Sequence, residues 1–334
     1  MADKVSWGVL STAKIGTEKV IPGMQGAQRC SIDAIASRDL ATAQGVAGKL
    51  GIPRAYGSYE ELLADPAIEA IYNPLPNELH VPWTLRALEA GKHVLCEKPI
   101  ALNAEEAQAL LGARARSGKL VAEAFMVRFH PQWRRARAIV LSGEIGAATA
   151  IQTFFSYRLL DPANIRNRPP GGGALYDIGC YAILTARFLF GAEPTRVAAT
   201  LDIDPVMGTD RLGSVVAEFP GGRHLTFTCA TQTSPHQRVT IAGDKGRIEI
   251  AVPFNAPPER ASHITIDSGA DLFGGGARRE EFPPCDQYTL QGDAFARAVS
   301  GEATWDYPLE DAIANMRAID AVFRAGRSGR WETV

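Results

Sequence analysis

The chain has 334 residues, of which 46% are hydrophobic and 22% charged, and its formal net charge is −2. At roughly 150 residues per domain, this length predicts about two globular domains in a soluble protein. With 37 acidic against 35 basic residues, the chain lacks the positive charge on which nucleic-acid binding and polybasic membrane docking depend. We therefore expect neither a nucleic-acid partner nor membrane attachment.

The N-terminal residues MADKVSWGVLSTAKIG show no basic region followed by a long apolar run, so no secretory signal is predicted. No segment approaches the roughly 18 uninterrupted apolar residues of a membrane span. The five cysteines are dispersed without a C-x-x-C pair, and the six histidines show no metal-binding spacing. We expect a cytoplasmic protein with reduced cysteines and no metal site.

The first part of the chain, up to about residue 124, alternates short apolar runs with amphipathic segments, which is typical of βαβ units on a parallel sheet. The predicted strands are VSWGVL, CSIDAIAS, EAIYN, HVLCE and LVAEAF. The predicted helices are KIGTEKVIPGMQG, DLATAQGVAGKL, SYEELLAD, ELHVPWTLRALEAG and NAEEAQALLGARARSG. Asp39 and Asn103 stand where N-caps belong, and Gly51, Gly91 and Gly118 follow the last helical turns. Residues 1–124 therefore predict a doubly wound α/β domain.

After the helix-like HPQWRRARAIVLSG, the pattern changes to β-like runs. These runs are AIQTFFSYRL, RVAATLDID, GSVVAEF, RHLTFTCATQT, QRVTIAG and GRIEIAVP. Asp244-Lys245-Gly246 predicts a hairpin turn, residues 268–278 (SGADLFGGGAR) a surface loop, and LEDAIANMRAIDAVFRAGRSG a closing helix. Residues 125–334 therefore predict an α+β domain with a large, mostly antiparallel sheet packed on one or two helices.

Both alternating faces of AIQTFFSYRL carry large apolar residues. Ile151, Phe155 and Tyr157 lie on one face and Phe154 on the other. We expect that neither face of the second sheet is freely solvated and that the outer face meets another subunit, giving a homodimer or a higher homo-oligomer. The alternative is that loops of the same chain cover this face.

The turn GVLSTAKIG, residues 8–16, follows the first predicted strand and opens the first helix. A dinucleotide-binding Rossmann domain places the pyrophosphate here, on backbone N–H groups at the helix N-terminus. The glycine positions of G-x-G-x-x-G are occupied by Ser11, Ala13 and Gly16, and serine and alanine still permit close backbone approach. Small residues in a tight turn also serve packing alone, so the turn by itself leaves both interpretations open. The candidate cofactor contacts are Ser11, Thr12, Ala13, Lys14 and Ile15.

The second predicted strand ends in Ser37-Arg38, about twenty residues beyond the turn, where the residue facing the adenosine ribose belongs. A carboxylate there favours NAD, whereas Arg38 offers a planar fork of donors to a 2′-phosphate and Ser37 a second donor. Asp39 is better explained as a helix cap than as a ribose ligand. The pattern favours NADP over NAD, with a solvated loop arginine as the alternative for Arg38.

Two further motifs carry a family resemblance. Glu97-Lys98-Pro99 follows the strand HVLC at the carboxyl end of the sheet, and GGGALYDIGCY, residues 171–181, opens a helix in the second domain. With the first turn and Ala36-Ser37-Arg38, these motifs resemble the glucose-fructose oxidoreductase, inositol dehydrogenase and rhizopine-catabolism (Gfo/Idh/MocA) family of NAD(P)-dependent enzymes. The resemblance covers essentially the whole chain and is strongest to the NADP-dependent D-xylose dehydrogenase and dimeric dihydrodiol dehydrogenase branches.

The resemblance implies roles for several residues. The catalytic lysine of the family maps onto Lys98, and Tyr181 stands where many members carry a catalytic histidine. Asn77 and His80 match the loop that lines the nicotinamide ribose and substrate pocket, and Arg166 matches an arginine near the nicotinamide. Leu75 and Glu97 complete the candidate cofactor contacts.

Asp177 and Tyr181 are four residues apart, so on a helix they share one face, which we expect to point at the cleft between the domains. The reference pKa of tyrosine is about 10, and the Lys98 ammonium would lower it by stabilising the phenolate. In oxidation, Tyr181 would take the proton of the substrate hydroxyl while hydride passes to NADP, Lys98 would stabilise the oxyanion, and Asp177 would hold sugar hydroxyls. The alternatives are a core aromatic residue for Tyr181, a surface lysine for Lys98 and, for Asp177, a charge that favours the helix dipole.

The predicted function is that of an NADP-dependent dehydrogenase of a sugar or other polyhydroxylated small molecule, foremost an aldose oxidised at C1 to its lactone. Oxidation of a trans-dihydrodiol and reduction of a dicarbonyl such as an osone are alternatives. A catalytically silent NADP-binding regulator is a third alternative, which the presence of both Lys98 and Tyr181 disfavours.

Overall fold

The computed structural model describes residues 4–334, which divide into two compact units. The first unit comprises the chain up to Met126 together with Asp286–Met316, and the second comprises Val127–Cys285 together with Arg317–Val334. The predicted domain ranges were 1–124 and 125–334, and residues 1–3 of the former lie outside the described part. The observed division places the first boundary two residues later, after Met126, and differs further in the segment Asp286–Met316, which belongs to the first unit.

Six strands of the described chain form the parallel sheet of the first unit. They are β1 (Val5–Leu10), β2 (Cys30–Ala36), β3 (Arg54–Tyr56), β4 (Ala70–Asn73), β5 (His93–Glu97) and β6 (Val121–Ala124). Their order is β3-β2-β1-β4-β5-β6, which confirms the doubly wound sheet. The order reverses between β1 and β4, the point at which open α/β sheets bind ligands. The sequence analysis missed β3 because three residues show no periodicity.

The α-helices are α1 (Ile21–Gln25), α2 (Leu40–Leu50), α3 (Tyr59–Ala64), α4 (His80–Glu89), α5 (Ala104–Ser117), α6 (Pro131–Ser142), α7 (Cys180–Phe190), α8 (Gln287–Val299) and α9 (Leu309–Ser328). In α2 and α5, both predicted N-caps are confirmed, because Asp39 and Asn103 accept the backbone N–H three residues on, at 2.7 and 2.8 Å. Gly51 and Gly118 end these helices in the left-handed conformation, and Gly91 adopts it after α4.

The first predicted helix contains a wider turn than expected. Gly16–Val20 is π-helical, and α1 continues it. The N–H of Ile21 bonds to the carbonyl of Gly16, five residues back. Pro22 has no N–H and so removes the next α-helical bond, which accounts for the shift in register.

The segment Asp286–Met316 packs on the first sheet and its first helix. The ring of Phe295 lies 5.1 Å from that of Trp7, and the Thr289 hydroxyl donates to the Gly23 carbonyl at 2.6 Å. The prediction assigned this segment to the second domain because its place in the chain follows the β-rich part. Packing between residues so distant in sequence leaves no local signal.

Nine strands of the described chain form the sheet of the second unit. They are β7 (Ala148–Arg158), β8 (Arg196–Ile203), β9 (Asp210–Phe219), β10 (Arg223–Ala230), β11 (Gln232–Gly243), β12 (Arg247–Ile250), β13 (Ser262–Asp267), β14 (Ala277–Phe282) and β15 (Glu332–Thr333). Their order is β14-β13-β12-β11-β7-β10-β9-β8-β15, and within this sheet, as far as the structure describes it, only β7 and β10 pair in parallel. The mostly antiparallel sheet is confirmed, as is the hairpin of β11 and β12, in which Ala242 lies opposite Arg247.

The two faces of β7 differ in burial. Ile151 and Phe155 are buried, on the face against which α7 packs, whereas Ala150 and Gln152 on the other face are exposed and Phe154 is half-buried. The outer face of this strand is therefore open in the single chain.

Strands β13 to β15 were not predicted. The strand β14 has the sequence ARREEF, in which charged residues hide the strand pattern, and the last two residues of the predicted loop 268–278 begin it. Residues 268–276 form the expected surface loop, with Leu272 and Phe273 exposed at its tip.

Across residues 4–334, none of the helices combines the length and apolar character needed to cross a membrane. The same residues contain no group of three or more His, Cys, Asp or Glu side chains arranged to hold a metal ion.

Candidate active site

The turn after β1 presents backbone N–H groups at a helix start. Ser11 adopts a left-handed φ of +76°, its N–H donates to the Ala36 carbonyl at 3.0 Å, and its Oγ accepts the N–H of Ala13 at 3.3 Å. The first helical bond runs from the Thr17 N–H to the Ala13 carbonyl, so the N–H groups of Lys14 and Ile15 precede it. N–H groups in this position bind phosphate. The predicted residues Ser11, Thr12, Ala13, Lys14 and Ile15 all lie in this turn.

Ser37 and Arg38 follow β2 at the same edge of the sheet. The Ser37 N–H donates to the Tyr56 carbonyl at 3.1 Å, and its Oγ accepts the N–H of Asp39 at 3.3 Å. Arg38 is exposed and forms no salt bridge among residues 4–334. The Asp39 carboxylate accepts both the N–H and the hydroxyl of Thr42, so it serves as the cap of α2, as predicted.

Lys98 follows β5, and hydrogen bonds to side chains fix the backbone at Lys98 and just after it. The buried Tyr72 hydroxyl donates to Glu97 Oε1 at 2.7 Å, and Glu97 Oε2 accepts the Lys98 N–H at 3.3 Å. Two residues on, the Ile100 N–H donates to Glu123 Oε1 at 2.8 Å. Burial, reinforced by Glu97, raises the pKa of Tyr72, so its hydroxyl stays a donor. The half-buried Lys98 therefore stands on a rigid support.

His80, the first residue of α4, connects two loops at this edge. It is 1% exposed, and its Nδ1 and Nε2 each lie 2.7 Å from a carbonyl oxygen, those of Pro99 and Leu75. These contacts favour the protonated ring, but burial has the larger effect and lowers the pKa of His80 to about 4. The neutral ring then donates to one of the two carbonyls.

This position differs from the pocket contact that the sequence implied for His80. Both ring nitrogens face protein carbonyls, so His80 holds the backbone beside Lys98. Leu75 is 5% exposed, and its carbonyl takes part in the same bridge. Asn77 is half-buried at the start of a short 3₁₀ turn, Asn77–Leu79.

In the second unit, the helix predicted from GGGALYDIGCY begins with a π-helical turn. Leu175–Gly179 is π-helical and α7 follows directly, so Asp177 lies in the wide turn and Tyr181 in the α-helix. Single π-helical turns within helices are frequent at functional sites.

Asp177 is oriented by two side chains. The Tyr157 hydroxyl donates to its Oδ2, and the Arg166 Nε lies 3.5 Å from its Oδ1. Burial, followed by the charge of Asp177, raises the pKa of Tyr157, so this hydroxyl remains a donor at neutral pH. The Asp177 side chain is 17% exposed and therefore still reaches solvent.

Tyr157 is a member of the site that the sequence analysis did not assign. Its only signal was its position two residues after Phe155 on one strand face, which had been taken as an apolar face. Side chains two residues apart on one face of β7 are separated by about the same distance as those of Asp177 and Tyr181, which are four residues apart on the helix.

The Tyr181 ring lies in an aromatic cluster. It is 6% exposed, and its centroid lies 6.0 Å from that of Phe155 and 5.3 Å from that of Phe254. This packing restricts the ring to one orientation and suits both a core aromatic residue and a positioned acid–base group.

Each unit brings its own share of the predicted residues together. At the carboxyl ends of the strands of the first sheet lie Ser11, Thr12, Ala13, Lys14, Ile15, Ser37, Arg38, Leu75, Asn77, His80, Glu97 and Lys98. In the second unit, Asp177 is paired with Arg166 and shares a helix with Tyr181.

Comparison with known proteins agrees with this architecture. Residues 5–125 match the model of an oxidoreductase family with an NAD-binding Rossmann fold, and residues 133–249 match that of the GFO/IDH/MocA C-terminal domain. The chain is 40% identical to a D-xylose 1-dehydrogenase (NADP(+)) of Haloferax volcanii, over 97% of this chain and 98% of that protein. It is 32% identical to a trans-1,2-dihydrobenzene-1,2-diol dehydrogenase of Mus musculus, over 83% of this chain and 80% of that protein.

A solved structure is similar along nearly the whole chain. It is that of KijD10, a 3-ketoreductase of Actinomadura kijaniata in complex with NADP and TDP-benzene, with a TM-score of 0.90 and 28% identity. The match covers 97% of this chain and 98% of that one. The resemblance inferred from the sequence motifs is confirmed, and the chain belongs to the GFO/IDH/MocA family of oxidoreductases.

Proposed function

We propose that the chain is an NADP-dependent dehydrogenase that oxidises a CH–OH group of a polyhydroxylated small molecule, foremost an aldose at C1 to its lactone. The observation that carries the proposal is the oriented Asp177 carboxylate on the helix of Tyr181, together with Lys98 on its rigid support after β5. Similarity to a D-xylose dehydrogenase supports the substrate class.

The residues of the first unit fit NADP. The N–H groups of Lys14 and Ile15 suit a pyrophosphate, and the small side chains of Ser11 and Ala13 leave room for close approach. Arg38 is exposed without an ion-pair partner in the described chain, as a ligand for a 2′-phosphate should be. A carboxylate at this position would favour NAD. The neighbouring carboxylate, that of Asp39, is instead used as the cap of α2.

When bound, NADP would supply the hydride acceptor for the C–H bond of the substrate. The Tyr181 side chain acts as the general base and accepts the proton of the substrate hydroxyl. The Lys98 ammonium stabilises the developing oxyanion and relays the proton to solvent. Asp177 accepts a hydrogen bond from a neighbouring hydroxyl, since Tyr157 and Arg166 already set its orientation.

A second candidate keeps these residues and changes the substrate. Similarity to a trans-dihydrodiol dehydrogenase supports oxidation of a trans-dihydrodiol, or the reduction of a dicarbonyl such as an osone. A catalytically silent NADP-binding regulator would need neither Lys98 nor Tyr181.

The test is the appearance of reduced nicotinamide with NADP or NAD and a panel of pentoses, hexoses and trans-dihydrodiols. Turnover of an aldose with NADP preferred is the expected result. Turnover of diols alone supports the second candidate. If NADP binds but no substrate is oxidised or reduced, dicarbonyl substrates included, the result supports the catalytically silent regulator and contradicts the proposed enzyme.

We also propose that the open face of the second sheet forms a homodimer or higher homo-oligomer. On this face Leu212 and Val216 of β9 are 40% and 38% exposed, and Phe154 lies on the same face of β7. Light scattering after gel filtration should show an oligomer, and V216K should shift it toward the monomer. Val206 is 83% exposed but lies in the turn before β9, so V206K serves as the control. A wild-type monomer at every concentration would contradict this proposal.

A cytoplasmic location is proposed on the cysteines. All five stand as thiols, a state that reducing compartments maintain. Fractionation of the native host should recover the chain with cytoplasmic markers, and recovery in a secreted or membrane fraction would contradict the location.

A further inference from the structure

The second unit contains a buried carboxylate that the proposed chemistry does not use. Asp210, the first residue of β9, is 3% exposed and forms no ion pair in the described part of the chain. Its Oδ2 accepts the backbone N–H of Leu175 at 2.7 Å. A buried, unpaired charge is costly, so its retention needs an explanation.

The other carboxylate oxygen fills the space beside Gly173. This glycine has a φ of +113°, and a Cβ built on it would lie 2.0 Å from Asp210 Oδ1. The glycine thus provides the unusual backbone angle and leaves room for the carboxylate. The Asp210 carboxylate therefore fits the turn formed by Gly171, Gly172 and Gly173, which we call the glycine turn.

The same turn connects the residues of the candidate site. The Gly173 N–H donates to the Arg166 carbonyl at 2.8 Å, and its own carbonyl accepts the Asp177 N–H at 3.0 Å. Leu175, the residue that Asp210 holds, begins the π-helical turn that carries Asp177 and leads into α7 and Tyr181.

We propose that Asp210 is a positioning residue, which anchors the glycine turn and the start of the helix and so sets the places of Arg166, Asp177 and Tyr181. The inference rests on the proposed function, because Asp210 acts through side chains that the proposal makes catalytic.

The carboxylate form is the one that anchors the turn. Two oxygens can accept N–H groups at a helix start, where the helix dipole favours a negative charge. Burial raises the pKa of Asp210 to about 7, against the effect of its hydrogen bonds from Leu175 and Ala174. As the pH falls through 7, a proton on one oxygen removes an acceptor, so the turn loosens and kcat falls.

The titratable groups that face Asp210 are either uncharged near this pH or paired with an opposite charge. Burial raises the pKa of Tyr157 on β7 and of Cys229 on β10, so both stay protonated. The Arg166 side chain pairs with Asp177, and Arg211, next to Asp210 on β9, pairs with Asp202.

The test compares D210N with the wild type in the full chain. D210N keeps the shape but presents an NH₂ group to one of the two N–H groups, so kcat should fall about 10- to 100-fold through misplacement of the helix. NADP affinity, for which the candidate phosphate contacts lie in the first unit, should change much less than kcat. The pH profile of kcat should lose its inflection near 7, an effect that a merely destabilised protein would not show.

Asp204 offers a matched control. It is a buried carboxylate in the turn before β9 that accepts two backbone N–H groups, those of Val206 and Met207, away from the glycine turn. D204N should keep the kcat and the pH profile of the wild type.

Two further measurements separate the outcomes. If D210N does not fold, hydrogen exchange of the wild type at pH 6 and pH 8 tests the proposal instead. After correction for intrinsic rates, the amides of Ala174 and Leu175 should exchange faster relative to those of α7 at pH 6 than at pH 8. Equal protection at the two pH values would overturn the proposal. If Y181F is inactive while D210N retains wild-type kcat and pH profile, the role of Asp210 alone is wrong. If Y181F is fully active, the proposed function itself fails.

Discussion

Tyr157 on β7 donates its hydroxyl hydrogen bond to Asp177 on the helix that begins the candidate site. Two residues earlier on the same strand face, the ring of Phe155 packs against that of Tyr181. One face of one strand therefore supports both candidate residues of the helix. The Asp177 carboxylate keeps one oxygen for Tyr157 and has the other beside Arg166.

Replacing Tyr157 by Phe should weaken substrate binding. The ring remains, but Asp177 loses the donor that orients it, and a hydrogen bond to a charged group contributes about 1.5–3 kcal/mol, which corresponds to at least tenfold in KM. Steady-state kinetics with saturating NADP would show this as a rise in the KM for the aldose.

The matched control for Y157F is Y56F in the first unit. Tyr56 also donates its hydroxyl to a carboxylate, that of Asp65, at 2.8 Å. Y56F should leave the KM for the aldose unchanged, and an equal KM for Y157F and the wild type would show that Tyr157 does not orient a substrate-binding carboxylate.

Replacing Arg38 by Ala should remove the preference for NADP. The guanidinium would donate charge-assisted hydrogen bonds to the 2′-phosphate, and their loss should weaken NADP binding about 10- to 100-fold. NAD lacks this phosphate, so its affinity should stay the same. Titration of both cofactors into R38A and into R116A, an exposed arginine at the end of α5, would measure the difference. Equal loss for NADP and NAD would refute the role of Arg38.

The stability of the second unit should depend on pH through His130. Its Nδ1 accepts the Gln132 N–H at 3.2 Å as the N-cap of α6, and burial lowers its pKa to about 4. This value lies below the ordinary value of 6.5, so the stabilisation is complete above pH 6.5, declines as the pH falls from 6.5 toward 4, and is fully lost below 4. At pH 5 the loss is about 2 kcal/mol.

Urea unfolding at pH 7.5 and pH 5 would test this dependence. H130N keeps a neutral cap acceptor, so its midpoint should fall less between the two pH values than that of the wild type. H224N, at an exposed position on β10, should behave like the wild type. The same fall in H130N as in the wild type would exclude His130 as the source.

Much of the fold could be predicted because its signals are local. A few neighbouring residues suffice to predict the apolar run of β1, the N-caps Asp39 and Asn103, and Gly51 at the end of α2. Elements without such signals were missed, namely the three-residue β3 and the charged β14. The π-helical turn Leu175–Gly179 is a shift of one residue in the hydrogen-bond register, which no spacing in the sequence records.

The candidate site shows the same division. Lys98 and Tyr181 stand in recognisable motifs, so their positions could be predicted. Tyr157 and Asp210 lie 20 and 35 residues from the groups that they hold, and only the sheet register brings them there. His80 lies at the carboxyl edge of the first sheet, but its contacts with two carbonyls depend on how the loops pack.

The most direct test of the account is the substitution of Lys98 by Met, which keeps the length of the side chain and removes its charge. We predict that kcat falls about 10²- to 10⁴-fold while NADP affinity stays nearly unchanged, and that K49M, at an exposed lysine of α2, behaves like the wild type. Turnover retained in K98M, or NADP binding lost with it, would contradict the assignment of Lys98 as the catalytic lysine.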